Sequence, residues 1–301
     1  MKKKQLQSSL LLLLTAMIWG TAFVAQSVAM DYVEPFTFNA IRFLLGGVVL
    51  LPLIALRSRR ERGTETGDKK LLWKGGILCG IVLCIASAFQ QLGIQGTTVG
   101  KTGFITALYI VLVPVFGVFL HKKAGIRLWL SVLVAIFGLY LLCMNAEHFS
   151  INHYDVILLL CAASFAVQIL CVDHFSPKVD PVKLSCIQFL VCSLLSFLMM
   201  VLTEHPSMAA VMTAWQPILY AGILSCGVAY TLQVVAQTSL NPVIASLIMS
   251  LESVISAIAG WLVLGQHLSG REIAGCVVMF AAIILVFIII ICTIIFTINS
   301  T

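Results

Sequence analysis

Two stretches of the chain decide its fold: EPFTFNAIRFL at residues 34–44 and DPVKLSCIQFL at residues 180–190. Each begins with an acidic residue and a proline and continues into an apolar run, and the two stretches are a constant 146 residues apart. A second set repeats at a constant separation of 142, with Gly80, Cys84, Gln91 and Gln95 returning as Gly222, Cys226, Gln233 and Gln237. Because the two separations differ only by a short gap, the pattern predicts an internal repeat that covers both halves of the chain.

The composition places both repeats in a membrane. Of the 301 residues, 60% are hydrophobic and 10% are charged, and the mean hydropathy is +1.08, whereas soluble domains carry about 25% charged residues. A helix needs about 20 apolar residues to cross a bilayer. Ten such stretches follow one another along the chain: 8–29, 36–56, 71–94, 102–120, 127–145, 154–172, 182–203, 215–236, 242–264 and 272–295.

The first apolar stretch resembles a secretory signal, because Lys2, Lys3 and Lys4 precede it and small residues end it. However, it is long enough to span a bilayer, whereas a signal core has about 7–15 residues. It also contains Trp19 and Gly20. We interpret it as a retained first helix.

Ten spans divide into five per repeat. Because five is odd, the second repeat must enter the membrane in the opposite orientation to the first. The sequence therefore predicts an all-α polytopic membrane protein with ten transmembrane helices as two inverted five-helix repeats, the first over residues 1–147 and the second over residues 148–301.

The basic residues agree with this orientation. With the N-terminus inside, fifteen of the 18 Lys and Arg residues lie on the inner side, as the positive-inside rule requires. The stretch from Arg57 to Lys74 carries seven of them, and its counterpart from Thr203 to Pro217 carries none. We therefore expect both termini in the cytoplasm, the cell membrane as the location, and the lipid bilayer as a partner. The net charge of +6 does not indicate nucleic acid, since the basic residues form short clusters between apolar runs.

Residue types for catalysis or metal binding are scarce in the spans. All ten cysteines lie in apolar stretches without a C-x-x-C pair, and the six histidines lie in loops or at span ends. Neither an H-E-x-x-H motif nor a glycine-rich phosphate loop is present. We expect no catalytic residue, no metal and no cofactor.

Two charged residues lie inside predicted spans. Glu252 is about ten residues from either end of the ninth span, where an ionisable group costs several kcal/mol unless it faces a cavity or a partner. It is either a structural carboxylate bonded to a neighbouring helix or a coupling residue that exchanges a proton or a substrate cation. Arg42 lies about two turns inside the second span. It either snorkels to the interface or lines an outer vestibule.

Uncharged polar and aromatic side chains complete the candidate site. The fourth span places Thr102, Thr106 and Tyr109 on one face, and Pro114 is expected to kink that helix. The ninth span carries serines that either form a polar seam or allow close packing, namely Ser246, Ser250, Ser253 and Ser256. The substrate-binding candidates are Trp19, Phe23, Gln91, Thr106, Tyr109, Gln168, Tyr230, Gln233 and Glu252.

The chain resembles the drug/metabolite transporter superfamily, in its EamA-type branch with ten helices and two repeats, over nearly its whole length. The motifs of the first repeat are Trp19 to Phe23, Pro35 with Arg42 and Phe43, and Val113 to Val115. Those of the second repeat are Leu251 to Val254 and Gly260 to Gly265, which resemble the family's L-E-P-V and L-G-E segments. Ser253 stands where proline is usual and Gln266 where glutamate is usual, so we expect a less kinked ninth helix and one charge fewer near its outer end.

The resemblance implies a cavity lined by spans 1, 3, 4, 6, 8 and 9 and alternating access, often for export of amino acids, related metabolites or drugs. We therefore predict a secondary transporter of a small-molecule substrate. The alternatives are a channel-like facilitator, an intramembrane enzyme such as a lipid or acyl transferase, and a structural membrane subunit. Inverted repeats favour the transporter. The sequence leaves open the substrate and whether the protein forms a homodimer.

Overall fold

Eight apolar helical stretches of spanning length make up most of the computed structural model. The structure describes residues 2–60, 68–119, 126–143, 153–266, 269–271, 273–275, 277–278 and 281. Within this part, the stretches that are long and apolar enough to cross a membrane are Lys4–Ala29, Pro35–Arg59, Lys69–Ile94, Val99–Val118, His153–Phe175, Pro181–Thr203, Trp215–Gln237 and Pro242–Leu264. They coincide with predicted spans 1–4 and 6–9.

The helices, numbered along the chain, are α1 (Lys2–Ala29), α2 (Pro35–Arg60), α3 (Lys69–Ile94), α4 (Val99–Ala107), α5 (Tyr109–Phe119), α6 (Ile126–Cys143), α7 (His153–Phe175), α8 (Pro181–Thr203), α9 (Met208–Thr213), α10 (Trp215–Leu219), α11 (Thr231–Gln237), α12 (Pro242–Met249) and α13 (Glu252–Leu264). A π-helical segment, Tyr220–Tyr230, joins α10 to α11. The described residues contain no strand, as the all-α prediction requires.

The predicted count of ten spans is not confirmed. Helix α6 lies where the fifth span is predicted, but it is not among the eight stretches. Most of the predicted tenth span, 272–295, lies outside the described residues.

A short polar residue followed by proline starts two of the helices, α8 and α12. Asp180 accepts hydrogen bonds from the backbone N–H groups of Val182 and Lys183 at the start of α8. Asn241 caps α12 in the same way by accepting from Val243 N. In both helices proline is the first residue, where its missing N–H costs nothing. The sequence therefore sets these two helix starts locally.

Helix α2 is capped by the other repeat instead. The carboxylate of Glu204, which follows α8, accepts from Phe36 N at 2.6 Å and from both the N–H and the hydroxyl of Thr37 at 2.7 Å. Glu34, the counterpart of the self-capping Asp180, accepts from His205 N at 3.1 Å. We call this pair of exchanges the Glu204 clasp. It ties the start of α2 to the end of α8, so these two helices run antiparallel.

Within the described residues, helices of the two repeats pack against one another. Helix α3 packs along α7 and α8, and α2 packs along α8. The close approach needs small residues, since a Cβ atom added to Gly80 would lie 2.8 Å from the backbone oxygen of Gln188. Leucine side chains face away from the bundle, such as Leu202 with 78% exposure. Lipid is the solvent that suits such an exterior.

The fourth span of each repeat is broken near its middle. In the first repeat α4 ends at Ala107 and α5 begins at Tyr109, while in the second α12 ends at Met249 and α13 begins at Glu252. The break at Leu108 lies six residues before Pro114, the residue that was expected to kink this span and that lies inside α5. Proline obstructs the carbonyl four residues earlier, so the distortion appears on its N-terminal side.

The ninth span is also broken, although Ser253 stands where the family usually has proline. The four serines of this span donate to the carbonyl three residues earlier, at 2.8–2.9 Å, through Ser246, Ser250, Ser253 and Ser256. Around the break the backbone also bonds to the third preceding residue, as from Ser253 N to Ser250 O at 3.1 Å. Side-chain bonds of this kind compete with the regular helix ladder. The span therefore breaks without a proline.

Candidate functional site

A cavity lies between the spans at the level of both helix breaks. Its lining comes from the six predicted spans and from span 2: Trp19, Phe23, Gln26, Arg42, Gln90, Thr106, Tyr109, Phe165, Gln168, Ile169, Ser225, Tyr230, Gln233 and Glu252. Its volume is about 20 Å³, which is room for one or two water molecules. An organic solute can occupy it only after the helices move apart.

A hydrogen bond between two side chains joins the two broken helices. Tyr109, the first residue of α5, donates its hydroxyl to Glu252 Oε1 at 2.8 Å, and Glu252 is the first residue of α13. Both side chains are at least 97% buried. A carboxyl group at a helix start is favoured by the helix dipole. The bond therefore links the two repeats at the centre of the bundle, on the wall of the cavity.

Carboxamide side chains form another part of the wall. Gln233 Nε2 donates to Gln168 Oε1 at 3.2 Å. Gln168 Nε2, Gln233 Oε1 and Gln26 Oε1 are buried, and they have no hydrogen-bond partner within the described part of the chain. Buried polar atoms without partners are uncommon in folded proteins. These three glutamines thus bring one unpaired donor group and two unpaired acceptors to the lining of the cavity.

Aromatic rings cover the side of the cavity next to the π-helical segment. The ring centroids of Trp19 and Tyr230 are 4.5 Å apart, and Trp19 Nε1 donates to Ser225 O at 3.3 Å. Ser225 belongs to the π-helical segment, where wider turns leave carbonyls available to other donors. Thr15 Oγ1 donates to Ala229 O of the same segment at 3.2 Å. Helix α1 is therefore bonded directly to the backbone of the eighth span.

Arg42 lies inside the bundle, so the snorkelling interpretation is wrong. The side chain is 1% exposed and lines the cavity. Its Nε donates to Asn39 Oδ1 at 2.9 Å, and its guanidinium lies 4.8 Å from the ring centroid of Phe43. Asn39 is one helical turn before Arg42 and holds it away from the interface.

Eight of the nine predicted binding residues line the cavity, and Gln91 does not. Gln91 is fully buried and points toward the backbone of α1, with Nε2 3.4 Å from Gln26 O, while the adjacent Gln90 lines the cavity. Choosing between neighbouring glutamines requires the rotation of α3, which an almost uniformly apolar helix does not reveal. The lining residues that the sequence prediction omitted are Gln26, Arg42, Gln90, Phe165, Ile169 and Ser225. Of these, Gln26 could have been found, because it shares a helix face with Trp19 and Phe23.

The serines of the ninth span do not line the cavity. All four are fully buried, and they donate to the backbone of their own span. Ser256 lies against Gly103 of α4. Close packing, rather than a polar seam, is therefore their role. Among the described residues, no group of three or more His, Cys, Asp or Glu side chains could hold a metal ion.

Apolar spans in two repeats around a buried polar cavity define the class of membrane transporters. The chain belongs to the EamA-like transporter family, whose model matches residues 6–144 and again residues 153–288. The resemblance to the drug/metabolite transporter superfamily is thereby confirmed. The chain is a multi-pass membrane protein, and its family points to transport rather than to catalysis.

Relatives and a solved structure agree with the family. A protein of Archaeoglobus fulgidus, described as an uncharacterized transporter, is 29% identical over 286 residues, which cover 94% of this chain and 86% of the relative. The uncharacterized transporter YwfM of Bacillus subtilis is 25% identical over 92% of this chain and 93% of its own. A crystal structure of a protein that is 19% identical superposes with a TM-score of 0.75 over 94% of this chain and 97% of that chain. At this identity the superposition supports the fold alone.

Proposed function

We propose that the protein is a secondary transporter that exports small organic metabolites, such as amino acids or drugs, by alternating access. The observation that carries the proposal is the contact between the two broken helices, where Tyr109 donates to Glu252 on the wall of the cavity. A broken helix can bend at its break without unfolding its two halves. Movement at the two breaks would open the cavity to one side of the membrane and then to the other.

The substrate would bind in the cavity between spans 1, 3, 4, 6, 8 and 9. Trp19, Phe23 and Tyr230 supply aromatic surface, and Thr106, Gln168 and Gln233 supply hydrogen-bonding groups. Tyr109 and Glu252 occupy the contact between the repeats. These residues are assigned to binding because a small polar cavity in an apolar bundle is the usual form of a transport site.

Glu252 would couple transport to protons. A charged carboxylate deep in a membrane costs several kcal/mol unless a partner compensates it. Tyr109 provides one hydrogen bond but no positive charge. Glu252 would therefore bind a proton or a substrate amine when the cavity faces one side, and release it on the other.

The same proposal includes the topology. Ten spans would form two inverted repeats over residues 1–147 and 148–301, with both termini in the cytoplasm of a cell whose plasma membrane holds the protein. The support is the distribution of basic residues, with seven from Arg57 to Lys74 and none from Thr203 to Pro217.

Purified full-length protein in liposomes tests the function. A panel of amino acids, amines and purines is offered, with and without an imposed pH gradient. Saturable flux of at least one solute, driven above equilibrium by the pH gradient, is the expected result. Flux that does not saturate would indicate a channel-like facilitator instead. Covalent change of the liposome lipids without solute flux would indicate an intramembrane transferase.

A further inference from the structure

Arg42 brings a positive charge to the cavity that the described residues do not balance. Its Nε donates to Asn39 Oδ1, and its guanidinium carbon lies 5.1 Å and 4.8 Å from the ring centroids of Phe38 and Phe43. All three partners are uncharged. Arg42 Nη2 is buried and has no hydrogen-bond partner in the described part of the chain. One nitrogen of a fully buried guanidinium, with its N–H groups, therefore remains available.

The carboxyl group of the lining does not supply the missing negative charge. Glu252 lines the same cavity, but its Oε1 accepts from Tyr109, and the described residues show no ion pair between Glu252 and Arg42. A buried cation without a counter-charge is costly in a membrane. A negatively charged solute that enters the cavity during the transport cycle would remove this cost by pairing with Arg42.

We propose that the guanidinium of Arg42 binds a carboxylate group of the transported solute. The inference rests on the proposed transport function and adds the substrate class. Guanidinium and carboxylate form short charge-assisted hydrogen bonds and match in planar geometry. One carboxylate balances the single charge of Arg42, whereas a phosphate dianion would leave a surplus negative charge in the bundle.

The other residues that line the cavity restrict the part of the solute beyond its carboxylate. Trp19, Tyr230 and Phe165 present apolar and aromatic surface, and Glu252 offers a place for an amine. The matching solute is a small carboxylate with an apolar body, with or without an amino group. A solute with an amine and no carboxylate leaves Arg42 unbalanced and is carried poorly.

Four probes that share a 3-methylbutyl chain test the proposal in liposomes containing the full-length protein. They are L-leucine, L-leucinamide, 4-methylpentanoate and 3-methylbutylamine. We expect L-leucine and 4-methylpentanoate to be carried, or to compete with a carried solute, at least about tenfold better than L-leucinamide and 3-methylbutylamine. A fifth probe, 3-methylbutyl phosphate, is expected to behave like the probes without a carboxylate.

Substitutions of Arg42 separate recognition from structure. Arg42→Gln should remove the preference for carboxylates, and Arg42→Lys should retain part of it, because lysine keeps the charge without the planar donors. Arg57→Gln, on the exposed end of the same helix, is the matched control and should retain the full preference. Size-exclusion profiles and thermal melts in detergent report whether each variant folds. If Arg42→Gln does not fold, the preference of the unsubstituted protein alone decides.

Three results would overturn the carboxylate site. The first is equal transport of, or equal competition by, probes with and without a carboxylate. The second is a preference for carboxylate probes that survives in folded Arg42→Gln. The third is saturable flux of other solutes that neither L-leucine nor 4-methylpentanoate inhibits. These three results leave the proposed transport function intact, whereas the absence of saturable flux for every solute would overturn both.

Discussion

Tyr109 donates a hydrogen bond to the carboxyl group of Glu252, and both residues line the cavity between the two repeats. Glu252 is 3% exposed and begins the second half of the broken ninth span. Replacing it with glutamine keeps the shape and the hydrogen bond from Tyr109 while removing the group that is proposed to exchange a proton. Glu252→Gln therefore tests the proposed coupling of transport to protons while keeping the contacts that stabilise the fold.

We expect Glu252→Gln to fold and insert normally and to lose pH-driven transport, because glutamine can neither bind nor release a proton in this pH range. Accumulation driven by an imposed pH gradient should fall at least about tenfold, the effect of losing roughly 1.4 kcal/mol of coupling. Flux assays in liposomes across pH 5–8 measure it. Asp31→Asn, at an exposed position between α1 and α2, is the control. An unchanged pH profile in Glu252→Gln would make Glu252 a structural carboxyl group.

Two neighbouring glutamines offer a sharper test of the cavity. Gln90 lines it and Gln91 does not, although both are buried in α3. Gln90→Leu should raise the KM of a carried solute several-fold because the cavity loses a hydrogen-bonding group, whereas Gln91→Leu should leave KM unchanged. Saturation curves in liposomes compare the two variants. An equal effect of both substitutions would mean that the rotation of α3 in the working protein differs from the one described.

The sequence was sufficient to find Glu252 but not to place Arg42. An acidic residue ten positions inside an apolar run has no route to water, so its burial follows from its position alone. Arg42 is closer to the end of its span, and its long side chain could reach the interface. Asn39 and Phe43 decide the matter by contacting the guanidinium. Contacts of this kind depend on rotamers that no sequence pattern specifies.

At the scale of helices, small residues determine how closely α13 approaches its neighbours. A Cβ atom at Gly20 of α1 would lie 2.5 Å from Ile255 Cβ and 2.8 Å from Glu252 O. At Gly100 of α4 the nearest atom is Ala257 Cα at 3.6 Å, an ordinary contact. The two glycines therefore face the same helix with very different amounts of space.

Gly20→Ala should destabilise the protein by about 1–3 kcal/mol, because the added methyl group forces α1 away from α13. Gly100→Ala should be neutral or slightly stabilising, since alanine favours a helix and the space is available. Thermal unfolding of the purified variants in one detergent compares them. Equal melting temperatures for Gly20→Ala and the unsubstituted protein would contradict the close packing of these helices.

The Glu204 clasp can be tested by substituting its carboxylate. Glu204→Ala leaves two backbone N–H groups and the Thr37 hydroxyl without their partner. Removing these bonds should cost about 1–3 kcal/mol. The control is Asp68→Ala, which removes an exposed cap at the start of α3 and should cost about 1 kcal/mol. Thermal unfolding measures both, and a smaller loss for Glu204→Ala than for Asp68→Ala would contradict the clasp.

Helix breaks were harder to predict than helix existence. Hydropathy alone located eight spans within a few residues, because an apolar run of about 20 residues has few other outcomes. The breaks at Leu108 and at Ser250–Leu251 depend instead on bonds to the third preceding residue, several of them from serine hydroxyls. Serine can make that bond or bond to a neighbouring helix, and the sequence does not distinguish these cases.

At the scale of the whole molecule, the proposed orientation is testable from both sides of the membrane. In a cysteine-free background, a single cysteine at Lys70 should react with an impermeant maleimide only in inside-out vesicles. A cysteine at Asp31 should react only in intact cells. Both positions are exposed, and they flank α2 and α3 on opposite sides of the bundle. The reverse pattern would invert the assignment of both termini.

The Glu204 clasp also makes the two ends of the bundle different, although the two halves of the chain are related repeats. Two identical copies related by symmetry would give the two ends of the bundle equal stability. Here Asp180 caps its own helix, whereas Glu34 has one more methylene group and leaves the equivalent N–H groups to Glu204 of the other copy. The two ends are therefore unequal. In the proposed transport cycle, unequal ends would give one of the two facing states the lower free energy at rest.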